Sequence, residues 1–244
     1  MASINASITS VGLISSGDAT GNLELQGNGT TGLTVNNSGK VVIANTALST
    51  ASAGTLEYDG GELYFTPLGT QRGLVPGMQY YRLNGSLAGS NVNTAQSFFG
   101  VGVTLSSSTI YKFEYTIAMS KTSGVTSHNV SLLFGGTATI NNIGYFTQIK
   151  YNTNGFGSVP STDSWSVWSA TAGSTTIFSG ITSATEYHVY FCTGTVSINS
   201  GGTFIPQYIL SAAPGGAYTV QAGSDFLIYP VGSAGSNTSI GTWA

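Results

Sequence analysis

The sequence predicts an all-β protein in which an antiparallel β-sandwich follows a low-complexity β segment. Three observations lead there. Apolar and aromatic residues alternate with polar ones at a period of two, Gly and Asn turn signals recur between these runs, and no window carries helical periodicity of useful length. At 244 residues the chain has room for one large β domain, or for a domain and a smaller module.

The clearest element is 187–210. Tyr187, Val189 and Phe191 alternate with His188, Tyr190 and Cys192, and the run continues through Val196 and Ile198. After Asn199-Ser200-Gly201-Gly202 a second arm, 203–210, resumes the pattern, so the stretch reads as two long strands folded on a Gly-rich turn. Pro206 cannot donate a ladder hydrogen bond and belongs at an edge or a bulge. In 109–119, Tyr111, Phe113, Tyr115, Ile117 and Met119 form one apolar face against Lys112, Glu114 and Thr116. Side by side, the two stretches read as the inner sheet of the main domain, with Cys192 and His188 explained by packing.

In chain order, residues 1–51 form a stem or anchoring segment. Short apolar groups such as Leu23-Glu24-Leu25, Leu33-Thr34-Val35 and Val41-Val42-Ile43 are separated by turn signals such as Asn36-Asn37-Ser38-Gly39. These arms are too thinly apolar to bury a core within one chain, so they gain it from copies of themselves or from a surface on which they dock. Residues 52–77 are a hairpin and linker, in which Leu56-Glu57-Tyr58 and Glu62-Leu63-Tyr64-Phe65 flank Asp59-Gly60-Gly61. Residues 78–244 are the sandwich, with strands expected at 80–83, 98–105, 109–119, 129–134, 143–151, 175–178, 187–198, 203–210, 217–220, 226–231 and 238–243.

Composition narrows the function. Charged residues are 6% of the chain, far below an ordinary soluble domain, which points to life inside an assembly. Six scattered Lys and Arg against a net charge of −3 offer no basic stripe, so nucleic acid is not an expected partner. No apolar run reaches membrane-span length and the N-terminus lacks a signal-peptide pattern, so membrane insertion is not expected and synthesis is expected in a cytosol. The single cysteine, Cys192, excludes an intrachain disulfide.

Chemistry-bearing residues are sparse. Gly27-Asn28-Gly29-Thr30-Thr31-Gly32 matches G-x-G-x-x-G but is followed by strand and turn residues instead of a helix, so it reads as a turn. Glu57, Asp59 and Glu62 bracket an exposed turn and do not flank a cleft. No G-x-S-x-G elbow accompanies the two histidines; His128 reads as a turn residue and His188 as a strand residue beside Glu186. Neither a catalytic set nor a cofactor or metal site is expected. The best recognition candidate is 151–168, where Tyr151, Phe156, Trp165 and Trp168 with Asp163 stand among Asn, Ser and Gly; exposed aromatic faces with amide partners suit flat polar ligands such as sugars.

Several blocks resemble a family. Asp18-Ala19-Thr20-Gly21-Asn22-Leu23-Glu24-Leu25-Gln26, Ala53-Gly54-Thr55-Leu56-Glu57-Tyr58-Asp59-Gly60, Gln71-Arg72-Gly73-Leu74-Val75-Pro76 and Gly194-Thr195-Val196-Ser197-Ile198-Asn199-Ser200-Gly201-Gly202-Thr203-Phe204-Ile205-Pro206-Gln207-Tyr208 are similar to virion proteins of marine and freshwater tailed phages, cyanophages especially. The resemblance covers most of the chain and brings no catalytic residues with it. It implies a homotrimer with an N-terminal β stem and a jelly-roll-like head. The function expected from it is that of a capsid decoration (cement or head-fibre) protein on the virion exterior, made in the host cytoplasm and bound to the major capsid protein or another virion protein. The alternative expectation is a tail fibre or spike tip that binds host surface glycan through Trp165, Trp168 and their neighbours.

Overall fold

The computed structural model describes residues 21–27, 29–157, 164–235, 237–241 and 243. Asp163 and the first twenty residues of the expected stem segment lie outside them. The described chain is all strand, turn and bend, with no helix. It divides into two units, one bounded by Met1–Val75 and Ser239–Ala244, the other by Pro76–Thr238.

The first unit holds two small antiparallel sheets. β1 (Leu23–Gly27), β2 (Thr30–Val35) and β3 (Val41–Ile43) form a meander, and β4 (Leu56–Tyr58), β5 (Leu63–Phe65) and β6 (Gly73–Leu74) form the second sheet. Register places Leu23, Val35 and Val41 in one cross-strand row and Leu25, Leu33 and Ile43 in the next. Side chains two residues apart share a face, so these six aliphatics make one wholly apolar surface. None of the six is buried.

The second unit is a sandwich. Its strands are β7 (Gln79–Arg82), β8 (Leu87–Ala88), β9 (Gln96–Ser97), β10 (Val103–Leu105), β11 (Thr109–Lys121), β12 (His128–Gly135), β13 (Thr139–Asn152), β14 (Ser164–Ser169), β15 (Thr175–Ile181), β16 (Glu186–Ser200), β17 (Gly202–Leu210), β18 (Thr219–Val220) and β19 (Asp225–Ser233). The larger sheet runs β14-β13-β16-β11-β18-β8, with β19 pairing both β11 and β7; the smaller runs β10-β17-β12-β15, with β9 also on β17. Their inner faces meet through rings: Phe113 lies 5.3 Å from Phe134, Phe134 stacks on Phe204 at 5.0 Å, and Phe98 lies 5.2 Å from Tyr208. Tyr111, Phe113, Tyr115, Ile117 and Met119 are all buried, as their alternation predicts, and so is Cys192, whose thiol burial pushes up to about 12.

The stretch 187–210 is not a hairpin. β16 pairs β11 and β13 in the larger sheet, whereas β17 pairs β10, β12 and β9 in the smaller, so the chain crosses the core at Gly201 as an arch. Glycine is required there by space: a Cβ on Gly201 would lie 2.8 Å from the Leu105 carbonyl oxygen, and one on Gly202 would lie 2.6 Å from the Ala138 nitrogen. β17 is an interior strand, yet Pro206 is accommodated. Its carbonyl accepts from Phe98 N at 3.2 Å, so its ring nitrogen points to the same side, where the neighbouring chain has left the sheet between β9 and β10.

That departure also corrects the strand expected at 98–105. Phe98 and Phe99 are both buried, and consecutive residues of a strand cannot both face one core, so the backbone turns out of the ladder with Gly100 at φ 71°. The described part of 238–243 is likewise no strand; Trp243 Nε1 donates locally to the Ile240 carbonyl at 2.7 Å. His128 is not a turn residue but the buried first residue of β12.

Gly202→Val puts two methyl groups against backbone atoms of 137–138, so it is expected to cost about 1–3 kcal/mol, read as a lower urea midpoint.

Candidate functional site

The five residues predicted for recognition fall in different places. Tyr151 points inward from β13 and is packed against Phe178 at 4.8 Å and His188 at 5.2 Å. Phe156 follows β13 and meets Tyr187 edge-on at 4.9 Å. Trp165 and Trp168 lie on the edge strand β14 but on opposite faces. Trp165 pairs in register with inward Ile149 and contacts Phe178 at 5.7 Å, whereas Trp168 pairs with outward Phe146 and is 69% exposed. An odd separation within a strand dictates this split, and the alternation in Ser164-Trp165-Ser166-Val167-Trp168-Ser169 carries that signal once the segment is read as a strand.

The outer face of β14, β13 and β16 is therefore aromatic. Row by row it presents Trp168, Phe146 and Thr193, then Ser166, Gln148 and Phe191. The indole of Trp168 leans over Gly144, where an added Cβ would stand 4.0 Å from Cζ2. The residue otherwise stays mostly in solvent.

The titratable groups of the sandwich gather elsewhere, at one end of its core. Lys121 and Glu186 are register partners in β11 and β16, both side chains fully buried, with Nζ 3.0 Å from Oε1. The ammonium also donates to the Gly124 and Ser183 carbonyls at 2.8 and 2.7 Å, which ties down two loops. Glu186 Oε2 accepts from the Tyr218 hydroxyl and from His188 Nε2 at 3.3 Å, and His128 Nε2 lies 2.7 Å from the same hydroxyl. His128 Nδ1 donates to the Thr126 carbonyl at 2.8 Å. Sequence reasoning paired His188 with Glu186 and missed the rest. The signal was parity: Lys121 continues the inward series that ends at Met119, and Glu186 begins the one that includes His188, Tyr190 and Cys192.

This cluster stabilises the fold and touches no solvent. Burial is the main influence on His188 and holds its imidazole below the ordinary value, against the opposing pull of Glu186. Burial would raise Glu186, but contacts with His188, Tyr218 and Lys121 outweigh it and hold the carboxyl below its ordinary value. No group of three or more His, Cys, Asp or Glu among the described residues is arranged to hold a metal.

Two other places offer a concave wall or clustered carboxylates. A cleft of about 300 Å³ opens between β7 and β10, lined by Tyr80, Tyr81, Phe99, Val101, Pro206 and Phe226 among others, with no carboxylate, imidazole or thiol in its wall. The carboxylates near the β4–β5 turn are each engaged: Glu57 accepts from Arg72 Nε and from Ser49, Asp59 accepts from the Gly61 and Glu62 amides, and Glu62 accepts from Tyr64 at 2.5 Å. In comparisons with known proteins, no family model, curated protein or solved structure matches this chain.

Replacing Glu186 by Gln leaves Lys121 buried without its counter-charge and is expected to lower stability by about 3–5 kcal/mol in a denaturant titration. Acid acts on the same cluster. The unfolded state takes up a proton on His188 that the folded state excludes, so stability falls as pH drops below about 6.5, and falls again below about 4.5 as Glu186 is protonated on unfolding. Denaturation midpoints measured from about pH 8 to about pH 2 show both steps; His188→Phe loses the upper one and, because His188 is the first of the contacts that hold Glu186 low, weakens the lower one as well.

Proposed function

We propose that this chain is a non-enzymatic structural protein of a phage virion, a capsid decoration protein of the cement or head-fibre kind. In this reading the N-terminal unit joins copies of the chain and docks on the shell, and the sandwich, a jelly-roll-like head, projects from the virion exterior as a trimeric knob. The observation that carries it is the apolar face of β1–β3. Leu23, Leu25, Leu33, Val35, Val41 and Ile43 line one side of a three-stranded meander in which no side chain is buried. A sheet that orders some twenty residues without burying any of them lacks the apolar burial that opposes conformational entropy, so its core is supplied by other copies or by a docking surface. The face carries no charge, and copies packed on one another there desolvate none.

Two further features support a structural role. The sandwich has a complete aromatic core of its own, and its clustered ionisable groups are sealed inside where no substrate reaches them. The resemblance to tailed-phage virion proteins gives the reading its setting.

Each leucine buried in such an interface contributes about 2 kcal/mol, so Leu25→Asp together with Leu33→Asp is expected to convert a sedimenting trimer into monomers while the melting of the sandwich is unchanged. Wild-type protein that sediments as a stable monomer removes the trimer, and density located on the tail of a reconstructed particle removes the decoration assignment.

A further inference from the structure

The outer face of β13, β14 and β16 suits one kind of partner better than others. Successive outward residues on a strand stand about 6.8 Å apart and neighbouring strands about 4.8 Å apart, so this is a flat lattice. Trp168 and Phe146 stand side by side in one row and Phe191 lies on the diagonal in the next, with Gln148, Ser166 and Thr193 at the remaining positions, so the aromatic surface is small and edged by polar groups. A protein partner builds its contact around a contiguous apolar core, whereas a sugar chain offers what this lattice matches: C–H faces for the rings and hydroxyl edges for the amide and hydroxyls. Trp168 is mostly exposed and the nearby Gly144 carries no side chain to crowd it, so the indole is open to a stacking partner.

The charge pattern selects the kind of sugar. Among the described outward positions of these three strands Lys150 is the one charged side chain, and no described carboxylate pairs with it. On the adjacent β11, Lys112 and Glu114 offset each other across Thr193, to which Lys112 donates at 2.6 Å. The described side chains of the face thus carry a positive charge within a chain whose net charge is −3. Lys150 lies four residues along β13 from Phe146, the register partner of Trp168, so it stands about 14 Å along the strands from the indole. No single sugar spans that distance.

We infer that this face binds an acidic polysaccharide, with a ring of the chain stacked on Trp168 and a carboxylate of a residue further along paired with Lys150. The site is distinct from the β1–β3 face and does not depend on where the protein sits in a particle.

Calorimetric titration of the full-length protein with polygalacturonate, free galacturonate and neutral dextran tests it. Polygalacturonate is expected to bind and the other two are not. Trp168→Ala weakens binding about tenfold, and Lys150→Gln weakens it about threefold with a shallower salt dependence between about 50 mM and about 500 mM. Both positions are exposed, and unchanged melting curves show that the variants are folded. No binding of polygalacturonate overturns the inference, as does equal binding of dextran, unaltered affinity in Trp168→Ala, or a Lys150→Gln variant with wild-type affinity and salt dependence.

Discussion

Lys121 and Glu186 meet in the register between β11 and β16, and much of the sandwich depends on that meeting. In a chain with so few charges, two opposite ones are fully buried side by side, and each is costly without the other. A slip of one residue between the two central strands would turn each charge and every aromatic of the inward series to the wrong face. The pair thus supports one register of a sheet whose hydrophobic alternation alone also tolerates shifts by two. Two further contacts, from the ammonium to the Gly124 and Ser183 carbonyls, extend that constraint to the loops at the same end. Tyr218 on the approach to β18, His128 of the smaller sheet and His188 of β16 itself close the cluster, so one ion pair coordinates several elements.

The two units solve the problem of burial differently. The sandwich sets three neighbouring strands of thirteen or more residues against a second sheet of shorter ones and fills the space between with Phe and Tyr, which deliver large apolar area per residue. The first unit has short strands and small aliphatics arranged on one face, with polar side chains such as Glu24, Gln26 and Thr31 bonded to one another on the other. An internally complete domain joined to an internally incomplete one is the physical basis for reading the chain as a component of an assembly. The proposed assembly would also account for the scarcity of charge, since surface covered by neighbours does not need charge to remain soluble.

Most strands were legible because period-two alternation is strong in β-branched and aromatic residues, and 109–119 is the clearest case. The elements that were misread share one cause. Alternation says that a segment is extended, and it says nothing about which strand lies beside it. Residues 187–210 alternate equally well as a hairpin or as an arch, and only the crowding around Gly201 and Gly202 separates the arms into two sheets. Phe98 and Phe99 look like strand residues one at a time, but their joint burial forces the chain out of the ladder. The predicted recognition cluster failed to assemble as a cluster for a related reason, since Trp165 and Trp168 are near in sequence and on opposite faces of one strand.

By itself the sequence determined the fold class, the inward face of 109–119, the buried fate of Cys192 and the lack of an internal core in the N-terminal strands, because each follows from local composition and periodicity. Only the tertiary structure decided that the arms of 187–210 belong to different sheets, that Lys121 finds Glu186 across some sixty-five residues, and that Trp168 looks outward with Phe146, Phe191 and Lys150. Those relations depend on pairing between distant segments, and pairing is settled by how side chains of the whole chain fit into one core.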